Sequence, residues 1–285
     1  MRQEKMKIPF PVKESVIART SVRNYSDQVI SAEEQQALEA FISDLDNPFA
    51  RQVSFHFLDQ THVQGRETLG TYGVIKGARH YIGTTIKPEP QALEALGYEL
   101  ESVMLYLAHR GIGACWLGGT FNRSGFASAM GIGEADRFPI ITPYGWPAAK
   151  KHIKEIMMRK VIKADQRKNR QELFFHQDLH TPLAPAEAAD LDFPLEMVRL
   201  APSASNKQPW RVVLKDTDCH FYEAKEPGYS DRFPYDIQRI DMGIAACHFD
   251  FAVRERGIKG HFDIDRKPDL QRPEHIEYVF SWIRD

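Results

Sequence analysis

No apolar run of membrane-spanning length occurs in the 285-residue chain. Nor is there a charged start followed by an apolar signal core, so neither a membrane-embedded nor an exported protein is expected. Met1 to Lys5 reads as a polar tail. Cysteine is scarce: Cys115, Cys219 and Cys247 are odd in number and lack metal-ligand spacing. This argues against a disulfide framework and a bound metal, and predicts buried reduced thiols in a cytoplasmic protein. Charge of one sign is lacking too, because a net charge of −2 offers no basic face to neutralise nucleic-acid phosphates. Catalytic triads and paired carboxylates are also missing. What remains is a soluble composition, 42% hydrophobic and 27% charged, long enough for one large domain or two ordinary ones.

Along the chain, Val12 to Ala18 reads as a helix leading into Arg19-Thr20-Ser21-Val22-Arg23. Two guanidinium groups and two hydroxyls within five residues suit a phosphate, although a charged helix end reads much the same way. Ser31 and Glu34 form a capping-box pattern for a helix running to about Ile42. Val53–Leu58 and His80–Ile86 read as strands. Leu93 to Arg110 reads as a long helix with an apolar stripe at Leu96, Leu100, Val103, Met104 and Leu107. It stops at Gly111, before Ile112-Gly113-Ala114-Cys115-Trp116-Leu117-Gly118-Gly119. Glycine pairs of this kind let backbone approach a planar ring closely. Far downstream, a short helix ends at Pro202, and Ser203-Ala204-Ser205-Asn206-Lys207-Gln208-Pro209-Trp210 leads into a strand over Arg211–Leu214. Such a loop can offer hydroxyls, backbone N–H groups and an amide to a polar ligand, or be a plain connection. His109, His248 and Cys247 read as structural residues on helices.

Together, Arg19-x-Ser21-x-Arg23, Gly111-x-Gly113-x-Cys115-Trp116-x-Gly118 and Pro202-Ser203-x-x-Asn206-x-Gln208-Pro209-Trp210 resemble the motifs of the flavin-dependent nitroreductase superfamily. The resemblance implies an α+β fold, an FMN cofactor and NAD(P)H as electron donor to a nitroaromatic, quinone or related small-molecule acceptor. It assigns Arg19, Thr20, Ser21 and Arg23 to the FMN phosphate, and Gly118 and Gly119 to the reactive edge of the ring. Pro202, Ser203, Ala204, Ser205 and Asn206 fall to the ribityl chain and pyrimidine edge. Arg159, in Met158-Arg159-Lys160, matches the family's returning basic residue, and Pro139–Pro147 its closing strand. Lys76 is a candidate for stabilising charge on the reduced ring, or a plain solvated lysine. No adenine-binding segment is visible, so FMN is expected rather than FAD.

The motif order departs from the family, and an internal repeat explains the departure. At a shift of 157, Leu38-Glu39 falls on Leu195-Glu196 and Val53 on Trp210; at a shift of 146, Gly97 falls on Gly243 and Gly111-Ile112 on Gly257-Ile258. The losses are complementary. Arg19, Ser21 and Arg23 correspond to His176, Asp178 and His180, while Asp44–Ala50 lacks the Pro-Ser-x-x-Asn pattern. Family enzymes are homodimers with flavins bound across the interface. The expectation is therefore a fused pseudo-dimer, residues 1–168 and 169–285, acting as a monomer with one flavin or dimerising through a new surface. A non-catalytic flavin sensor or carrier, a cofactor-free tandem domain, and a specialised reaction such as reductive dehalogenation stay open at this point.

Overall fold

The computed structural model describes residues 7–62, 69–149, 160, 163 and 166–285. Strands form where β-branched and aromatic residues cluster: β1 (Val53–Asp59), β2 (His80–Ile86), the short β3 (Gly113–Ala114) and β4 (Arg137–Gly145). They make an antiparallel sheet in the order β1-β2-β4-β3, with Val53 opposite Ile86 and Gly113 opposite Gly145. A C-terminal sheet contains β5 (Phe174–His176), β6 (Trp210–Lys215), β7 (Asp218–Ala224), β8 (Gly260–Asp263) and β9 (Ile276–Arg284). Its order is β5-β6-β7-β9-β8. Without β5, which adds in parallel to β6, this repeats the order of the first sheet. The long strands also match in length, 7 residues for β2 and β7 and 9 for β4 and β9.

Seven helices can be followed among the described residues: α1 (Val12–Ala18), α2 (Ala32–Ser43), α3 (Ala92–His109), α4 (Arg123–Ala129), α5 (Pro185–Ala188), α6 (Asp192–Leu200) and α7 (Gln238–Glu255). The capping box before α2 forms as expected: Glu34 N–H donates to Ser31 Oγ at 3.1 Å, and Ser31 N–H to Glu34 Oε2 at 3.1 Å. The stripe expected on α3 proves too narrow. Glu94, Glu99, Glu101 and Ser102 are buried along with the apolar positions. The reason is tertiary, because α7 lies along α3 while α1, α2 and strands of the N-terminal sheet cover its other sides.

Both long helices have 18 residues, and glycine is the sixth of each, Gly97 in α3 and Gly243 in α7. A Cβ at Gly97 would overlap the Ile240 carbonyl oxygen, and one at Gly243 would overlap the Glu94 carbonyl oxygen. Glu94 and Ile240 are themselves the third residues of their helices. The contact is thus reciprocal, as in an isologous interface. Polar pairs stitch the crossing: Tyr98 Oη donates to Asp250 Oδ2 at 2.7 Å, and His248 Nε2 lies 2.9 Å from Glu101 Oε1. One hydrophobic core runs through both sheets and this helix pair, from Phe41 and Leu96 to Phe221, Phe249 and Trp282.

We predict that Gly243→Ala destabilises the protein by about 1–3 kcal/mol or more, because helix backbone rather than a yielding side chain blocks the methyl. Gly133→Ala, which meets nothing within 4 Å, is the control and leaves stability unchanged or slightly raised. Thermal unfolding of the two variants checks this; a Gly243→Ala protein as stable as wild type contradicts the close crossing.

Candidate functional site

A cleft of about 790 Å³ opens beside the helix crossing and takes walls from both sheets' surroundings. Arg19, Thr20, Ser21 and Arg23 line one side, with Trp116, Gly118, Gly119 and Ile140. The residues 202–206 line the other, with the α7 face Ile237, Ile240, Asp241 and Ile244. Two stretches more than 170 residues apart thus face one cavity.

The arginine-bearing segment is a strand-like extension fixed by backbone bonds. Val22 N–H donates to Ala114 O at 2.9 Å, Lys76 N–H to Arg23 O at 2.9 Å, and Tyr25 N–H to Lys76 O at 2.9 Å. Gly77, with φ +74°, permits the approach, since a Cβ there would overlap the Tyr25 carbonyl oxygen. Lys76 therefore serves through its backbone. Its side chain is exposed and does not line the cleft, which is the arrangement of the solvated-lysine alternative. Arg159 lies outside the described residues.

Arg23 is 7% exposed, and its Nε and Nη1 have no hydrogen-bond partner. Arg19 is half-buried, its side chain 8% exposed, with Nε 3.7 Å from Glu101 Oε1 and Nη1 without a hydrogen bond. Leaving a buried donor unsatisfied costs about 1–3 kcal/mol, and more for a charged group. Two such forks on one wall fit an anion with several acceptor oxygens, which is what a phosphate monoester provides.

The opposite loop is held in an uncommon conformation. Ser205, Asn206 and Gln208 have φ of 48°, 56° and 51°, in the left-handed region that side chains disfavour. Bonds from the rest of the protein maintain it: Ala204 N–H donates to Asp241 Oδ1 at 2.9 Å, Gln208 N–H to Ser203 Oγ at 2.8 Å, and Tyr229 Oη to Ser205 Oγ at 2.9 Å. Ser203 and Ser205 keep their hydroxyl protons for a ligand. Asn206 does not keep its amide. Nδ2 donates to Lys163 O at 2.8 Å and Gln166 O at 2.9 Å, while Oδ1 accepts from Gln208 Nε2 at 3.2 Å and Arg167 Nη1 at 3.4 Å. Its hydrogen-bonding capacity is used inside the protein, so it braces the loop rather than reading a ring edge.

Gly118 packs between apolar side chains; a Cβ there would sit 3.0 Å from Ile237 Cδ1 and 3.2 Å from Ile140 Cδ1. Arg123 anchors its peptide, donating from Nη2 to Gly118 O at 2.9 Å and from Nε to Phe138 O at 2.8 Å.

Sequence reasoning missed Asp241 and the neighbouring wall residues Tyr229, Arg232, Phe233 and Pro234. The spacing of Ile237, Ile240, Asp241 and Ile244 on one helix face was the available signal. Asp241 is buried, with Oδ2 lacking a partner. Burial pushes its carboxyl up to about 8, against the Ala204 N–H that favours the anion, and the charges of Asp236 and Glu101 push the same way.

These features define a mixed α+β protein with a phosphate-fitting, two-walled cleft beside a helix crossing. A family model described as "Putative TM nitroreductase" matches residues 11–253, and the chain belongs to that family. The crystal structure of a "putative nitroreductase" from Thermotoga maritima MSB8 shares the fold, at 18% identity and a TM-score of 0.58, covering 100% of this chain and 96% of that one. Similarity extends to a nitroreductase with bound FMN from Bacteroides fragilis NCTC 9343, at 19% identity and a TM-score of 0.40, covering 50% of this chain and 92% of that one. Comparison with curated proteins gave no match.

The folded value of Asp241 lies above the ordinary carboxylate value of 3.8, so the native state binds the extra proton between about pH 4 and 8. The contribution of this group to stability is then greatest at low pH and falls as pH rises toward 8, by at most about 1.4 kcal/mol per pH unit. Asp241→Asn keeps the acceptor for Ala204 and removes this dependence. The variant's advantage in melting temperature should be larger at pH 8.5 than at pH 5.5; parallel curves contradict a buried neutral acid.

Proposed function

We propose that the protein is an FMN-dependent NAD(P)H oxidoreductase of nitroreductase type, built from two related halves, residues 1–168 and 169–285, that share one cofactor site. The observation that carries this reading is the pair of arginine side chains, Arg19 and Arg23, whose buried Nε and Nη1 atoms lack hydrogen bonds and which line one cleft with the residues 202–206. When bound, FMN supplies hydride relay between NAD(P)H and a nitroaromatic, quinone or similar acceptor. Arg19 and Arg23 would hold its phosphate, with Thr20 and Ser21 hydroxyls beside them. Ser203 and Ser205 would donate to the polar side chain and ring edge from the other half. Ile237, Ile240 and Ile244 offer an apolar bed for the ring and exclude water from it.

The equal helices, matching strand orders and reciprocal glycine contact support an ancestral homodimer joined into one chain. At the positions that match the cleft's motifs, the residues are committed elsewhere. Phe49, in the segment matching the Pro-Ser loop, is buried against Phe280 at 5.4 Å between ring centroids, and Asp178 closes its own turn by accepting from His180 and Thr181 N–H at 2.7 Å. This supports one flavin per chain and a monomeric protein. No helix among the described residues is long and apolar enough to cross a membrane, and the three free buried cysteines suit a reducing cytoplasm.

The test is a visible spectrum of the purified protein followed by anaerobic titration with NADH and NADPH and re-oxidation by menadione or nitrofurazone. Bleaching and recovery of a flavin band are expected. Bound flavin without bleaching would mark a carrier, and a protein that binds no FMN would end the reading. Arg23→Glu places a carboxylate where the phosphate sits and should weaken FMN binding at least about 30-fold; unchanged retention would count against the arginine pair.

A further inference from the structure

The two sheets differ sharply in one connection. Residues 87–91 link β2 to α3, whereas residues 225–237 link β7 to α7 from the matching position, a segment more than twice as long. The longer segment brings Tyr229, Arg232, Phe233 and Pro234 to the cleft wall, and the shorter one brings none. It is a fastened structure. Glu226 N–H donates to Gln238 Oε1 at 3.0 Å, Lys225 Nζ lies 2.8 Å from Glu277 Oε2, Ser230 Oγ donates to Asp236 Oδ1 at 2.7 Å, and Tyr229 Oη reaches Ser205 across the cleft rim. Phe233 stands beside the glycine pair, 3.5 Å from where a Gly119 Cβ would be.

Its charges are unevenly matched. Lys225 is paired with Glu277 and Asp236, and Lys207 with Glu226. Arg232 is exposed on the wall and forms no ion pair or hydrogen bond with a described residue. Asp231 beside it is exposed and does not line the cleft. An aromatic surface next to an uncommitted guanidinium complements a flat ring carrying a negative group, through ring stacking and a charge-assisted fork.

We propose that the segment 225–237 is the selector for the ligand that shares the cleft with the cofactor, and that Arg232 is its specificity-determining residue, favouring planar aromatic ligands that bear an anionic group. The group is either a carboxylate on the acceptor or a phosphate on the nucleotide donor. This rests on the oxidoreductase reading of the cleft, but its test needs no turnover.

Dissociation constants are measured by calorimetry for 4-nitrobenzoate against 4-nitrobenzamide, and for 2′,5′-ADP against 5′-AMP, with wild type, Arg232→Gln and Arg232→Lys. In at least one pair the wild type prefers the more anionic ligand, Arg232→Gln reduces that preference about fivefold at low salt, and Arg232→Lys retains part of it. The difference shrinks at high ionic strength, as for an exposed charge. The pair that responds identifies whether acceptor or donor carries the selected group. Unchanged ratios in both pairs overturn the proposal. A chain that binds no FMN but shows the predicted ratio separates failure of the cofactor reading from failure of this one.

Discussion

Two glycines, Gly97 and Gly243, allow the long helices α3 and α7 to meet backbone to backbone, and the site depends on that contact. Helix pairs this close are rare with larger residues, because a single methyl would push the axes apart. Ile237, the N-cap of α7, lies against Gly118, which also packs on Ile140 from the N-terminal part of the chain. From the same helix, the Asp241 carboxyl accepts from the Ala204 N–H at 2.9 Å and ties the residues 202–206 to α7. Loosen the crossing and the two walls lose their common reference.

Electrostatics divide the cleft into unlike ends. Arg19 and Arg23 supply buried positive charge without matching hydrogen bonds. Glu101 partly balances Arg19, while also accepting from Trp116 Nε1 at 2.9 Å and facing His248. At the α7 end, Asp241 stays protonated below about pH 8, so it adds no anion to the cavity at neutral pH. An anionic ligand therefore meets attraction at one end and no repulsion at the other.

Much of the fold was legible in the chain, for identifiable reasons. The run His80–Ile86, the α1 span Val12–Ala18 and the Ser31 cap rest on local chemistry, and the structure has them with the expected bounds. The convergence of residues 19–23 with 202–206 was expected from motif resemblance; no local signal could have placed them together. The misreadings are tertiary. Buried glutamates on α3 look like a solvated face until α7 covers Glu94 and Glu101 and Asn47 meets Glu99. Asn206 carries the expected residue type, yet its amide is committed to the carbonyls of Lys163 and Gln166. Lys76 was judged by its side chain, whereas its backbone is what holds Arg23. The long 225–237 connection went unread because its Gly, Pro and aromatic residues look like any surface turn without its shorter counterpart beside it.

The central claim is that two unequal halves of a single chain build one complete FMN site and no second. Native mass spectrometry of the FMN-loaded 32.7 kDa chain measures this directly. A monomer carrying one flavin is the predicted species. Two flavins per chain, or flavin held only in a dimer, would contradict it.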